Sequence, residues 1–86
     1  MKLLRRLTEN LMAAFAARPV HVDSSAIEEL AYDRRRRALF VRFASGTPYE
    51  YGSVPPGTFW RLLQAESKGR FLSREIRDRY PFRRLD

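Results

Sequence analysis

Leu39-Phe40-Val41-Arg42-Phe43, followed after the turn Ser45-Gly46-Thr47 by Pro48-Tyr49-Glu50-Tyr51, is the stretch that decides the fold class. Leu39, Val41 and Phe43 recur at the two-residue period of a strand with one buried face. Tyr49 and Tyr51 share a face of the next strand. Upstream, Ile27-Glu28-Glu29-Leu30-Ala31-Tyr32 reads as a preceding strand with Leu30 and Tyr32 on one face. Ile27 falls out of phase with them, which signals a bulge or a late strand start. Three strands are about the minimum for an independent sheet, and they need helices across the inner face.

The helices are supplied downstream. Ser53-Val54-Pro55-Pro56 is a helix start, with the serine as cap and the prolines in a first turn that needs no N–H partner. Phe59, Leu62 and Leu63 then form the stripe that covers the sheet, and Trp60 lies off it as a partly exposed edge residue. Gly69 is expected to end this helix in the left-handed conformation. A last helix over Phe71 to Tyr80 points Leu72, Ile76 and Tyr80 inward, lines Arg70, Arg74 and Arg77 along another face, and stops at Pro81. Phe82 and Leu85 are expected to fold back on the core. Before the sheet, Leu3, Leu7, Leu11 and Phe15 recur every four residues and predict an amphipathic helix over 3–16, closed by Arg18-Pro19.

These elements make an α+β fold: a small antiparallel meander of three or four strands, packed against two C-terminal helices, with an added N-terminal amphipathic helix. The expected division is residues 1–19 for that extension and 20–86 for the domain.

Eighty-six residues make one domain with one core and little room for a deep cleft. Cysteine is absent, so disulfides and thiolate metal sites are excluded, and one histidine without a carboxylate cluster makes no zinc site. No cofactor is implied. Long uncharged apolar runs are missing, which argues against a transmembrane helix, and the N-terminal pattern is amphipathic where a signal peptide would be continuously apolar. The expected location is the cytoplasm.

The net charge is +7, and because Lys2 and Lys68 are the two lysines, fifteen of the seventeen cations are arginines. Guanidinium binds phosphate oxygens bidentately and stacks on bases, so this balance favours polyanions: RNA, DNA or, less so, an anionic membrane. Two clusters stand out. Asp33-Arg34-Arg35-Arg36-Arg37 joins the first two strands at an open, solvated tip whose four arginines repel one another. Lys68, Arg70, Arg74 and Arg77 form the second, around the turn Ser67 and Gly69. Tyr49, Tyr51, Trp60 and Phe71 are the candidates to stack on unpaired bases. Each cluster has a plainer reading: a solvated hairpin tip for the first, and for the second a solvated helix face, partly paired internally through Glu75 and Arg79.

Catalysis finds no support. His21, Asp23, Ser24 and Ser25 sit side by side, where triad members are not expected, and the serines suit local backbone hydrogen bonds better. Glu28 and Glu29 face opposite sides of a strand and cannot act as a pair. A protein-interaction or assembly role is the alternative, carried by the stripe at 3–16 as a self-association or partner surface.

Taken together, Ser24-Ser25, Ile27, Tyr32-Asp33, Leu39, Val41, Phe43, Gly46, Tyr49, Tyr51, Val54-Pro55, Ala65, Ser67-Lys68-Gly69, Ile76-Arg77 and Tyr80 resemble the KTSC domain family. That family is named for a domain at the C-terminus of some lysyl-tRNA synthetases and also occurs as small stand-alone bacterial and phage proteins. The resemblance spans residues 22 to 85. It implies a non-enzymatic nucleic-acid-binding accessory module, RNA foremost, with Ser67, Lys68, Gly69 and the Ile76-Arg77 pair as signature positions. Ala31 and Ser73 stand where the family commonly has glycine and asparagine.

Overall fold

The computed structural model describes residues 20, 21 and 24–86. The helix expected over 3–16, and the assembly surface assigned to it, lie outside the described residues. The chain forms β1 (Val20–His21), β2 (Ile27–Asp33), β3 (Ala38–Phe43), β4 (Pro48–Tyr51), α1 (Pro56–Gln64), α2 (Lys68–Phe71), a π-helical turn (Leu72–Ile76) and β5 (Phe82–Arg84). The strands make one antiparallel sheet in the order β1-β2-β3-β4-β5. The α+β meander is as expected, and it is wider than three or four strands because β5 pairs with β4, Phe82 opposite Tyr51.

The period break at Ile27 is a bulge. Ile27 pairs with Phe43 and Glu29 with Arg42, so Glu28 is the extra residue and the register shifts between them. The shift lets both Ile27 and Leu30 reach the inner face, where each is fully buried. There they meet Leu39, Val41, Tyr51, Val54, Leu62 of α1, and Leu72 and Ile76 of the π turn. Among the described residues nine form the main core, and each Leu or Ile fully buried contributes about 1.5–3 kcal/mol. Ala31, Ala38, Phe40 and Leu85 form a second small cluster on the outer face, in phase with Arg42 and Glu50.

Local chemistry differs from expectation at three junctions. The cap of α1 is Pro55, with Pro56 as the first helical residue and no side-chain cap; Ser53 has a left-handed φ of 59° and belongs to the preceding turn. The C-terminus of α1 is closed by Ala65 in an extended conformation, and Gly69 lies inside α2 instead of ending a helix. Its missing side chain serves packing: a Cβ there would sit 3.2 Å from the Ala26 Cβ. Finally, the last helix is shorter and wider than predicted. The Arg77 N–H donates to the Leu72 carbonyl over five residues at 2.8 Å, which makes Leu72–Ile76 a π turn. Four-residue spacing still returns nearly to the same side in that turn, so Leu72, Ile76 and Tyr80 all pack inward as predicted.

Candidate nucleic-acid interface

The hairpin tip is built by Asp33. Its carboxylate is buried at the end of β2 and accepts the N–H groups of Arg35 at 3.0 Å and Arg36 at 3.3 Å. Arg37 takes a left-handed φ of 54° and its carbonyl accepts the Val54 N–H at 2.9 Å. Arg34, Arg35, Arg36 and Arg37 are all exposed, as expected, on a backbone fixed at both ends. Arg34 borders a shallow apolar depression with Tyr32, Phe59 and Trp60. Trp60 is 61% exposed.

The helix corner is organised by Ser67, which caps α2 by accepting the Arg70 N–H at 3.3 Å. Lys68 does not project freely from the turn. Its Nζ donates to the Ala65 carbonyl at 3.1 Å and satisfies a terminal group of α1, the cation placement that the helix dipole favours. Arg70 and Arg74 line one groove together with Glu66 and Glu75. Phe71 forms part of the same groove, half-buried, with the Arg61 guanidinium 5.5 Å from its ring centre. Its ring is therefore partly covered, where stacking on a base needs it open.

Arg77 departs from the predicted stripe. The π turn advances it less far around the axis than an α-helical turn would, so it lines a different cleft, of about 480 Å3, between the sheet and the helix corner. The aromatic side of that cleft is Phe43, Tyr49, Tyr51 and Phe82. Phe43 and Tyr49 meet edge to face at 5.4 Å, and Phe82 lies 5.8 Å from Tyr49 and 5.9 Å from Tyr51 in tilted pairs. Tyr51 is buried; that burial raises its phenol pKa, and the Arg77 guanidinium pulls it back down. Phe82, expected on the core, is instead 58% exposed at the sheet edge. Sequence pattern alone picks out neither Phe43 nor Phe82 as part of this wall, although the Tyr49–Tyr51 alternation marks it.

Ion pairing divides the arginines. Arg42 lies 3.0 Å from Glu29, Arg83 3.0 Å from Glu50 and Arg79 3.6 Å from Glu75, and Arg84 pairs with Asp86. Among the described residues, Arg34, Arg35, Arg37, Arg61, Arg70, Arg74 and Arg77 are exposed and form no ion pair. No cluster of three metal-ligating side chains occurs among the described residues, and none of their helices is long and apolar enough to cross a membrane.

Residues 23–80 match the model of the KTSC domain. The chain belongs to the KTSC domain family. A crystal structure of a KTSC domain protein from Yersinia pestis superposes with a TM-score of 0.79 at 30% identity, covering 81% of this chain and 99% of that one. A protein of Tsukamurella paurometabola is 46% identical over 59 residues, 69% of this chain and 88% of its own length. A lysine–tRNA ligase of Nostoc punctiforme is 33% identical over 63 residues, which take up 73% of this chain and 11% of that enzyme. The KTSC domain is thus a small module that also occurs within a much larger ligase. Its matched stretch contains the hairpin tip, the helix corner and Arg77, and stops short of β5 and Phe82.

Proposed function

We propose that this KTSC domain is a non-enzymatic module that binds nucleic acid, RNA ahead of DNA, through Arg70, Arg74 and Arg77 and the Arg34–Arg37 tip. The observation that carries the reading is the division of the arginines: Arg34, Arg35 and Arg37 of the tip, and all three of the helix corner, form no ion pair among the described residues. Exposed guanidiniums left unpaired in a chain of net charge +7 match phosphate chemistry. Lys68 adds positive charge at the corner while its ammonium holds the end of α1. The similarity to part of a lysine–tRNA ligase supports an RNA context.

The test is a salt-titrated anisotropy measurement with tRNA, single-stranded RNA and duplex DNA. The variant changes Arg70, Arg74 and Arg77 to Gln and keeps Lys68, whose cap is structural. Binding should weaken with salt, and the variant's log–log slope should flatten by about 0.7 for each single-strand phosphate that it no longer neutralises. Wild-type and variant proteins with equal affinity would remove the helix corner from the reading. Absence of salt-dependent binding to all three probes would defeat it.

A further inference from the structure

We propose that the cleft between the aromatic wall of the sheet and the π turn holds one unpaired nucleotide, its base against Phe82 and Tyr49 and its phosphate on Arg77. This rests on the nucleic-acid reading above and adds the form of the ligand: a base that is single-stranded or extruded, as opposed to one inside a duplex.

The geometry of the wall leaves a ring face open. Phe82 meets Tyr49 with the planes inclined at 56° and Tyr51 at 40°, so neither neighbour lies flat on it, and 58% of the residue is exposed. Across the cleft stand Leu72 and Ser73 at the start of the π turn, an apolar surface beside a hydroxyl. Among the described residues that line the cleft, Arg77 is the one with a charge, and it has no ion pair with any of them. A planar apolar group carrying one anionic charge fits an aromatic wall with a single guanidinium at its edge. The volume of about 480 Å3 is that of a small-ligand site, within the usual range of roughly 300–1,000 Å3. A base inside a duplex is stacked on both faces and cannot enter, whereas an unpaired base offers its π-face to an aromatic side chain.

The test uses the full chain and three RNA probes: a labelled single strand, the same strand with abasic positions, and a fully paired duplex. Because Phe82 is exposed, Phe82→Ala removes the ring without opening the core. It should weaken single-strand binding by about 10- to 100-fold with the salt slope unchanged. It should leave duplex and abasic binding within about twofold, since neither offers a base to the ring. Arg77→Gln should flatten the single-strand slope by about 0.7, and Arg74→Gln should leave the discrimination between single strand and duplex intact. In the wild-type protein, single-stranded RNA should shift the amide resonances of Phe43, Ser73 and Arg77. If Phe82→Ala binds the single strand as tightly as wild type, or the shifts stay within the Arg70–Arg74 groove, the cleft proposal falls and the nucleic-acid reading stands. If wild type shows no salt-dependent binding, that reading falls with it. Saturable shifts at the cleft from a tyrosine-ended peptide carboxylate, with none from RNA, would overturn the nucleotide assignment in favour of a protein ligand.

Discussion

Arg42 and Arg74 are the same residue type put to opposite uses. Arg42 stands on the outer face of β3, its side chain only 16% exposed, with its Nε 3.0 Å from a Glu29 oxygen on the neighbouring strand. The contact is close, but the N–H is not aimed for a hydrogen bond and the Nε is buried. Arg74 is exposed on the π turn, in a groove that also holds Arg70. The first arginine is committed to its own fold. The second presents its guanidinium outward. Charge composition cannot tell the two apart; only the register of β2 against β3 can, because it sets Glu29 opposite Arg42.

Breaking the committed pair should have the larger effect on stability. Arg42→Met keeps the stem but leaves the poorly exposed Glu29 carboxylate without this partner, which should cost about 1–3 kcal/mol in urea unfolding. RNA affinity should barely move, and a large drop there would erase the distinction between the two arginines.

A smaller effect is expected in alkali. Burial raises the Tyr51 and Tyr32 phenols above the ordinary value near 10.0, against the opposing pull of Arg77 and of Arg37 and Arg34. The folded state then holds its phenol protons more tightly than the unfolded chain. Stability is therefore full below about pH 10 and falls as pH rises from there through the raised folded values. Thermal unfolding scanned from about pH 8 to 11 should show that decline, and Tyr51→Phe should reduce it.

The smallest change is expected at Arg79. Its pair with Glu75 spans one helical turn at 3.6 Å on the surface, so Arg79→Gln should shift stability by under about 0.5 kcal/mol. A destabilisation comparable to that of Arg42→Met would mean that solvent exposure is the wrong criterion for sorting these arginines.

The central strands are legible in the sequence because burial on one face imposes a two-residue period, and the same period exposes the Ile27 bulge as a break in phase. β5 is not legible: Phe82-Arg83-Arg84 is three residues long and entirely exposed, so no alternation records its pairing with β4. Gly69 resembles a helix terminator because glycine most often marks a left-handed end, whereas here close approach to Ala26 is what its small size permits. At the candidate site, the residue types are legible and their grouping is not. An α-helical period puts Arg70, Arg74 and Arg77 in one row, and the hydrogen bond from Arg77 to Leu72 divides them between two surfaces.

That hydrogen bond is equivalent to one residue added to an α-helix. Wound instead at ordinary pitch, the same residues would bring Arg77 back to within about 20° of Arg70 around the axis. Leu72 and Ile76, four residues apart, face inward at either pitch, and Ile76 is fully buried. The extra residue therefore works as a spacer: it lets one short segment keep its inner anchors while sending its last guanidinium to a separate surface.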